Sequence, residues 1–520
     1  MHMGISIRRF GAGIGSAALL GTAAFVTGAT PAAASGPLYV SPTGSSGGAD
    51  TSCATAAYST IGSAVTAAPI GGTVIVCQGT YTEDVLVQKA LTLRGLHASI
   101  NATGLTNGVV VVASGVTIKG FTITGARGEG IAVFPAGVLS HATPPFAPVS
   151  KVQLLDNTVN KDNTGYVAPF GCTAPDLYPG DCGGGILLDA VANSVVSGNT
   201  VEHNVDGILV VDDFGPTHDN LITGNTVSLN VNECGITLPS HNSGAATAVR
   251  NPNGSFTVTG LNPTAGGVFR NTVVGNVSDG NGTAGFKGNA AGSGAGVLLA
   301  APAPGTAVYA NVIENNEMHG NGLAGVTFHA HYLGGMYMNG NKIIGNTIGQ
   351  NNTKGDILDT PITNADFQTT GILLFSSMAA HVEVSGNHIS SNHFGIWATP
   401  NLTLTGSSPN TFSSVAVPTF LANTPYGSGL FATGVTNSSA TLVGIAVPNG
   451  YATTVYFQFG TQPPLFGVTP PHKIGAGTGI VGVTATLTGL SPSTTYLFQL
   501  VMTNVNGTSS GFTGVFTTTA

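Results

Sequence analysis

The sequence predicts an all-β protein in which a right-handed parallel β-helix with an N-terminal helical cap is followed by a C-terminal β-sandwich. Three observations predict this fold. Two short phrases recur between residue 37 and about residue 417, neither phrase has helical periodicity, and longer alternating segments replace them after Val435. Recurrence every ~20 to 50 residues indicates one supersecondary unit that is stacked many times.

The first phrase is Gly-Asn-Thr-Val or a close variant, and the second is Gly-Ile or Gly-Val followed by aliphatic residues. Copies of the first begin at Asp156, Gly198, Gly224, Gly345 and Gly386. Copies of the second begin at Gly185, Gly207, Gly235, Gly296, Gly325, Gly371 and Gly395. Each phrase is a short strand bounded by corner residues, because Gly has no steric penalty in tight turns and Asn tolerates left-handed backbone angles. We expect the Asn side chains at equivalent corners to stack into a ladder.

The chain begins with a predicted export signal, residues 1–35. Arg8 and Arg9 precede a weakly apolar stretch, Gly11–Gly28, and three alanines at 32–34 offer a small-residue cleavage site. The ordinary secretory route and the twin-arginine route are both open. Since no other stretch is long and apolar enough to cross a bilayer, we expect a secreted protein with no membrane span.

The β-helix is predicted over residues 36–417, and its first strand would be exposed at the N-terminal end unless something covers it. Tyr58–Ala68 is predicted to be that cover, a short helix capped by Ser59 or Thr60. Val74–Val76 is then predicted to begin the first coil.

A linker is predicted at residues 418–434, and a sandwich domain at residues 435–520. The sandwich strands are predicted at Ala440–Val447, Thr453–Gly460, Gly482–Leu487, Thr495–Thr503 and Phe512–Thr518.

Two family resemblances follow from these residues. The stacked phrases resemble those of the pectin-lyase-like group of parallel β-helix repeat proteins, over most of the chain. The run Gly489-Leu490-Ser491-Pro492 followed by Thr495-Tyr496 resembles the corner of a fibronectin type III sandwich, over about the last 85 residues, with Tyr496 as the corner tyrosine. The first resemblance implies an exported protein that acts on polysaccharides.

Composition narrows the class of partner. Only 7% of the 520 residues are charged, and the formal net charge is −8. A negative chain with few cations is not expected to bind nucleic acid or an anionic membrane surface. A polysaccharide is the expected partner, and the protein is expected to be a monomer.

The five cysteines fit an exported protein. We predict disulfides between Cys53 and Cys77, which are about one coil apart, and between Cys172 and Cys182, which bracket a loop. Cys234 is then left over as a small buried hydrophobe.

The Gly-Ile strands predict a functional surface. The residue after each Gly is aliphatic and should point inward, so alternation turns the residues at positions +2, +4 and +6 from the Gly outward. Position +4 holds Asp189 and His329, and position +6 holds Asp213, His241 and His331. Insertions are predicted at 135–150, 164–182, 243–268, 301–308, 332–338 and 352–369, and several of them follow a Gly-Ile strand. We expect these loops to form the walls of a groove over the outward residues.

A uronate lyase or epimerase needs a base, a cation that neutralises the substrate carboxylate, and an acid. His241 or His331 is the predicted base and Tyr332 the predicted acid. Arg250 or Lys287 is the predicted cation.

Further residues beside this surface are predicted to contact the substrate, namely Asp212, His218, Asp219, His329 and Lys287. Asp212, Asp213 and Asp219 are also a predicted Ca²⁺ ligand set. The alternative is that Asp212 and Asp219 only cap turns.

Other chemistries stay open. A glycosidase would use the carboxylate pair Asp189 and Asp213. The pattern His329-Ala330-His331 followed by Met336 and Met338 suits copper, and proteins with similar repeats include the periplasmic copper-processing proteins linked to nitrous-oxide reductase. Against this, Met336 and Met338 are also spaced as core residues of one strand. A non-catalytic carbohydrate-binding rod is a third possibility.

Known motifs do not decide the subclass. The polygalacturonase pattern and the pectate-lyase arginine motif are absent from the sequence. The run Pro216-Thr217-His218-Asp219 is partly similar to the Asp-Pro-His-Asp motif of mannuronan epimerases, with one extra residue and no leading Asp.

Overall fold

A computed structural model describes residues 36–45, 49–163, 184–252, 255–283, 294–330, 334–353, 368–511 and 513–520. The predicted signal at residues 1–35 and the predicted Cys172–Cys182 bridge lie outside these residues. Within them the chain is almost entirely β, and three parallel sheets stack along one axis as a β-helix. The predicted fold class is confirmed. No helix in the described part of the chain has the length and apolar character needed to span a bilayer.

The largest sheet, sheet A, generally takes two strands from each coil. Its described strands are Leu38–Val40, Thr73–Val76, Gly79–Tyr81, Thr92–Asn101, Thr117–Thr124, Gln153–Leu155, Thr158–Asn160, Val195–Ser197, Thr200–Glu202, Leu221–Thr223, Thr226–Ser228, Thr272–Val274, Val277–Asp279, Val312–Glu314, Glu317–His319, Asn341–Ile344, Thr347–Ile348, Ala380–Ser385, His388–Ser390, Leu402–Thr405 and Thr411–Ser413. The first coil thus begins at Leu38, which pairs with Val74, and the predicted start at Val74 is one coil too late.

Sheet B contains the Gly-Ile strands, and sheet C contains the short strands that follow some of them. The described strands of sheet B are Val85–Val87, Val109–Val111, Ile131–Val133, Ile186–Asp189, Ile208–Val211, Ile236–Pro239, Val297–Ala301, Val326–Ala330, Thr370–Phe375, Phe394–Ala398 and Val417–Leu421. Those of sheet C are Val149–Ser150, Val191–Ala192, Thr217–His218, Val268–Phe269 and Val308–Tyr309.

The N-terminal cover is confirmed as helix Ile61–Ala67. Thr60 is its N-cap and accepts the Ser63 N–H through Oγ1, while the Glu83 carboxylate accepts the Ile61 and Gly62 N–H groups at 2.8 and 2.9 Å. These acceptors satisfy N–H groups that a helix leaves unpaired at its start. Short 3-10 helices lie at Cys53–Thr55 and Ala136–Val138. The predicted Cys53–Cys77 disulfide is confirmed.

Asparagine side chains stack at three corners of the coil, as predicted. The ladder between the two strands of sheet A runs through Asn157, Asn199, Asn225, Asn276, Asn316, Asn346, Asn387 and Asn410. At each step the amide nitrogen donates to the next Asn Oδ1 and to a main-chain carbonyl of the preceding coil, as Asn199 does to Leu154 at 2.9 Å. The residue before the ladder Asn is the left-handed one, for example Gly198 at φ 67° and Gly224 at φ 62°. Gly is favoured there because it has no Cβ penalty.

The other two ladders flank sheet A. One runs through Asn220, Asn271, Asn311 and Asn341, and the other through Asn204, Asn230, Asn281, Asn321, Asn351 and Asn392. All of these side chains are buried, and their hydrogen bonds offset the cost of burying the amides and the corner main chain.

The inward register of sheet B is confirmed. The residues at position +1 stack on one another in the core, where each is at most 3% exposed: Ile186, Ile208, Ile236, Val297, Val326, Ile372 and Ile396. The outward positions differ from the prediction, because many of them are also buried. Ala300 and Leu298 pack in a separate cluster with Cys234, whose Sγ accepts the Ala295 N–H. The predicted open groove over positions +2 and +4 is therefore wrong for these coils.

The predicted linker at 418–434 contains a strand, Tyr426–Thr433, which pairs antiparallel with Ser439–Val447. A sheet of Tyr426–Thr433, Ser439–Val447 and Val481–Thr488 faces a second sheet across a buried core, which forms the predicted sandwich. The second sheet contains Thr453–Gly460, Gly467–Val468, His472–Gly475, Thr495–Asn504, Gly507–Ser510 and Gly514–Thr517. The hydroxyl oxygen of Tyr496 accepts the Ser491 N–H at 3.0 Å.

The sandwich packs directly on the outward face of sheet B. Phe375 and Trp397 from the last coils share an apolar cluster with Tyr426 and Val447, and all four are at most 3% exposed. The Tyr426 hydroxyl donates to the Ser376 carbonyl at 3.0 Å. This apolar seam explains why outward positions at the C-terminal end are buried.

One ladder position holds a carboxyl group. Asp162 precedes Asn204 in its ladder, and its Oδ1 accepts the Ala126 N–H at 2.7 Å. Its buried Oδ2 has no hydrogen-bond partner among the described residues, whereas the corresponding amide of Asn204 donates to the Val159 carbonyl and to Asn230. Burial and the nearby Glu129 raise the pKa of Asp162 well above its usual value, although the Ala126 hydrogen bond acts in the opposite direction. A neutral carboxyl group fits this position better than a carboxylate.

Replacing Asp162 by Asn is therefore expected to stabilise the protein, and more so at high pH. The folded chain holds the Asp162 proton more tightly than the unfolded chain does, so wild-type stability falls as pH rises above about 4. Asn does not titrate and restores the missing N–H donor. Urea unfolding at pH 5 and pH 8 should show an advantage that grows with pH to roughly 1–3 kcal/mol. A variant less stable than the wild type at pH 8 would contradict this account.

The register of sheet A can be tested with two neighbouring substitutions. Val227 is fully buried, and Thr226 beside it is exposed. Val227→Asp should cost several kcal/mol, because an unpaired carboxylate would enter the core, whereas Thr226→Asp should change stability by less than about 1 kcal/mol. Thermal unfolding measures both, and similar losses in the two variants would show that the register is misassigned.

Candidate functional site

The candidate site lies at the corner where a sheet-B strand passes into a sheet-C strand, called here the B–C corner. In one coil this corner is residues 212–216, between Ile208–Val211 and Thr217–His218. In the next coil it begins at Ser240, after Ile236–Pro239. No Asn ladder described above runs along this corner, so other side chains must satisfy its main chain.

Asp212 holds the B–C corner together. Its Oδ1 accepts the N–H groups of His241 at 2.7 Å and Asn242 at 3.2 Å, and its Oδ2 accepts from the Ser240 hydroxyl at 2.9 Å and the Gly267 N–H. The side chain is fully buried, and burial raises the pKa of Asp212 to about 6. The predicted substrate and metal roles of Asp212 are not supported, because its oxygens are occupied by donors from the protein. It is the turn cap named above as the alternative.

Asp213 and His241 form the pair that the sequence predicted. They lie on consecutive coils, and His241 Nδ1 is 2.9 Å from Asp213 Oδ1. The side chains are 20% exposed for His241 and 40% exposed for Asp213. Since a carboxylate can only accept, His241 Nδ1 is the donor in this pair, and in the neutral imidazole the lone pair is then on Nε2. We call these two residues the His241–Asp213 pair.

Asp189 lies beside the pair but is buried, at 1% exposure. Its Oδ1 accepts the Phe214 N–H at 3.0 Å. Burial, with the nearby Asp213 charge, raises the pKa of Asp189 well above its usual value. An extended polymer cannot reach a carboxyl group in this position, so the structure does not support Asp189 as a direct catalytic carboxylate.

Insertions lie next to each residue of the pair. The loop 134–148 reaches the corner of the Asp213 coil, where the Phe146 N–H donates to the Phe214 carbonyl at 2.8 Å. The strands Ala246–Arg250 and Phe256–Leu261 form an antiparallel hairpin. One insertion thus reaches the corner of the Asp213 coil, and the other follows His241 along the chain.

His218 and Asp219 belong to a different cluster, on sheet C. Asp219 forms a bidentate ion pair with Arg270, at 2.8 and 2.6 Å, and His218 Nδ1 lies 2.7 Å from Asp219 Oδ2. The Arg270 guanidinium holds the pKa of Asp219 at about 2. The His218 ring stacks on Phe269, which stacks in turn on Tyr309.

The predicted Ca²⁺ set of Asp212, Asp213 and Asp219 does not come together. Asp212 and Asp213 both accept from His241, one from its main-chain N–H and the other from its ring, whereas Asp219 is held by Arg270 in a separate cluster. Among the described residues, no group of three or more His, Cys, Asp or Glu side chains is arranged to hold a metal ion.

Arg250 is not the cation of this site. Its guanidinium lies over the ring of Phe431 in the sandwich, 4.7 Å from the ring centroid. Arg250 is the last residue of a hairpin strand and contacts the sandwich, and spacing along the repeat could not reveal this contact. Lys287, His331, Tyr332 and the side chain of His329 lie outside what the structure describes.

Met336 and Met338 are core residues, each 3% exposed in the main apolar cluster. The core alternative given for these residues is confirmed, and their sulfurs are not available at the surface. Ser240 is a structural residue that sequence reasoning missed. It donates to Asp212 and accepts the Ala307 N–H at 3.0 Å, and its signal was a small hydroxyl directly before His241.

Comparisons with known proteins give one family match. Residues 92–252 match the model of the periplasmic copper-binding protein NosD, which is under a third of the chain. The matched segment includes the His241–Asp213 pair, whereas Met336 and Met338 lie beyond it. No curated protein matches the chain.

Several solved structures are similar in part. A mutant of the periplasmic alginate epimerase AlgG is 13% identical, with a TM-score of 0.34 over 67% of this chain and 76% of that one. The tailspike of E. coli bacteriophage HK620, in complex with a pentasaccharide, is 11% identical, with a TM-score of 0.33 over 80% and 73%. The sensor domain of the anti-sigma factor RsgI4 from Pseudobacteroides cellulosolvens is 20% identical, with a TM-score of 0.16 over 18% of this chain and 95% of that one. At these scores the similarities carry no functional argument.

Because Asp212 anchors the corner and Asp213 is partly exposed, their replacement by Ala is expected to lower stability by different amounts. Asp212→Ala leaves four donors without an acceptor in a buried corner and is expected to lower stability by roughly 3 kcal/mol. Asp213→Ala removes a partly exposed side chain and should cost less than about 1 kcal/mol. Chemical denaturation of both variants checks this, and equal losses would show that Asp212 is not the anchor of the corner.

Proposed function

We propose that this protein is exported and acts on an extended uronate polysaccharide, with the His241–Asp213 pair removing a proton beside the sugar carboxylate. The observation that carries the proposal is the 2.9 Å contact between an imidazole and a carboxylate, both of which are partly exposed. Imidazole is the side chain most often used for proton transfer near neutral pH.

The roles within the pair follow from its hydrogen bonds. His241 Nε2 is the base, and Asp213 orients the ring through Nδ1 and stabilises the imidazolium that forms. Asp212 fixes the main chain of His241 from beneath and is a positioning residue. The pKa of the buried Asp189 carboxyl group is raised, so Asp189 is favoured in its neutral form. Asp213 then has no second negative charge beside it.

A lyase or an epimerase is favoured over a glycosidase. Glycosidases of the ordinary type need two carboxyl groups that flank the scissile bond. Of the two carboxyl groups predicted for a glycosidase, Asp189 is buried and accepts the Phe214 N–H. Only Asp213 is exposed enough to contact a substrate. Proton abstraction, by contrast, needs only the base at this position, with a cation and an acid supplied by other residues.

A copper-binding role is the second candidate, because residues 92–252 match the NosD model. The sequence-predicted copper ligands do not support it strongly, since Met336 and Met338 are buried in the core. A carbohydrate-binding rod without catalysis is the third candidate, and it differs from the first by the absence of turnover.

Proton abstraction can be measured directly. Incubated in D₂O with polygalacturonate, alginate or glucuronan, the protein should place deuterium in the polymer or release unsaturated products that absorb near 235 nm. His241→Ala and Asp213→Asn should reduce that rate by about 10²–10⁴ while their thermal stability stays close to wild type. His388→Ala is the matched control, because His388 is an exposed histidine on sheet A that pairs with Thr411. Full turnover in both His241→Ala and Asp213→Asn would exclude the proposal, as would wild-type inactivity on all uronates.

Metal analysis separates the first two candidates. Because the predicted Ca²⁺ ligands are dispersed, activity on uronates is expected to survive dialysis against EDTA. Stoichiometric copper in the dialysed protein, retained in His241→Ala and lost in His331→Ala, would instead favour the copper-binding role. Plasma mass spectrometry of the three proteins measures this.

A further inference from the structure

The second sheet of the sandwich carries two paired glutamines on its outer face. Phe457 and Phe498 are fully buried in the sandwich core, so alternation turns the adjacent Gln458 and Gln499 to the outside. Gln458 lies opposite Gln499 in one strand pair and opposite Val468 in the other. The two glutamines thus lie side by side in the middle of the solvent-facing surface.

A shallow pocket opens over this glutamine pair. Its volume is about 240 Å³, and it is lined by Gln458, Pro463, Pro464, Leu465, Gln499 and Thr513. The volume is below the ~300 Å³ of ordinary small-ligand pockets, and the pocket is open on one side. Such a site suits one ring of a chain that continues across the surface.

The two amides present a donor and an acceptor together. Gln499 Nε2 donates to Gln458 Oε1 at 2.8 Å. This bond fixes both side chains and leaves Gln458 Nε2 as a donor and Gln499 Oε1 as an acceptor, neither of which bonds to another described residue. Adjacent hydroxyl groups of a sugar can accept from the first and donate to the second.

Exposed apolar side chains lie next to the lining residues, either along the chain or across the sheet. Phe466, next to the lining residue Leu465, is 84% exposed, and Val468 and Val515 are 55% and 62% exposed. The outward face of a sandwich strand is usually polar, so apolar groups clustered there indicate a contact surface. A sugar ring has an apolar C–H face and a hydroxyl edge, and it matches an aromatic ring beside paired amides.

The lining carries no formal charge, since none of its residues is Asp, Glu, Lys, Arg or His. A uronate chain would gain no ion pair here, so a neutral ligand is favoured. A protein partner is disfavoured because stable protein interfaces bury ~1,200 Å² or more, far beyond a pocket of this size.

We propose that Gln458, Gln499 and Phe466 form a binding site for a neutral polysaccharide on the sandwich, separate from the His241–Asp213 pair. This site would hold the protein on a neutral glycan while the β-helix acts on its own substrate. It does not depend on the chemistry proposed for the β-helix.

Affinity electrophoresis of the full chain tests the site, in native gels containing hydroxyethylcellulose, xylan or dextran, with polygalacturonate as the charged probe. At least one neutral polymer should retard the wild type. Phe466→Ala and the double variant Gln458→Ala/Gln499→Ala should each weaken that retardation roughly tenfold. Val505→Ala is the matched control, because Val505 is 81% exposed in a turn of the same sheet, and it should bind as the wild type does.

The proposal is overturned if no neutral polymer retards the wild type, if only polygalacturonate does, or if Phe466→Ala and the double variant bind normally. Equal loss in Val505→Ala would also overturn it. His241→Ala should keep full retardation, so loss in that variant would assign the binding to the β-helix. Circular dichroism melts of each variant ensure that lost retardation reports the site and not unfolding.

Discussion

The structure depends on the need to satisfy main-chain groups at the corners of a narrow coil. Each corner turns the chain sharply, and the residue before each ladder Asn takes a left-handed conformation at most positions. Buried peptide groups that lack partners are costly. The stacked Asn amides bridge one coil to the next and supply those partners, so coils of different lengths still stack in register.

The candidate site arises where no ladder is described. At the B–C corner the chain uses Asp212 in place of an amide, and that carboxylate gathers donors from two segments that are distant in sequence. Because this corner is not tied to a fixed repeat, it accepts the loop 134–148 and the hairpin at 246–261 without disturbing the sheets. The same freedom brings His241 beside Asp213.

The sequence was sufficient for the repeat, the inward column, the N-terminal cover, the first disulfide and the contact between Asp213 and His241, because alternation and coil stacking are strictly periodic. It was insufficient for contacts between the β-helix and the sandwich, because these two parts do not share a sequence repeat. Arg250 over Phe431 and the burial of Phe375 and Trp397 both depend on how the sandwich docks. Strand Tyr426–Thr433 was mistaken for a linker because Gly, Ser and Pro are frequent there. Its antiparallel pairing with Ser439–Val447 overrides that local preference. Asp212 and Asp213 are neighbours with the same side chain, and only the three-dimensional environment distinguishes the buried anchor of the corner from the partly exposed partner of His241.

The apolar cluster between the β-helix and the sandwich determines where the coding sequence could be cut into separately folding parts. A module joined by a mobile tether can be removed, exchanged or duplicated by cutting at its border. Here a cut near residue 434 would separate Tyr426–Thr433 from Ser439–Val447 and remove Val447 from the apolar cluster that contains Trp397. The border suggested by composition is therefore not an independent folding boundary. Shuffling of this segment between proteins would have to carry the last coils of the β-helix with it, so the two parts are expected to be inherited as one unit.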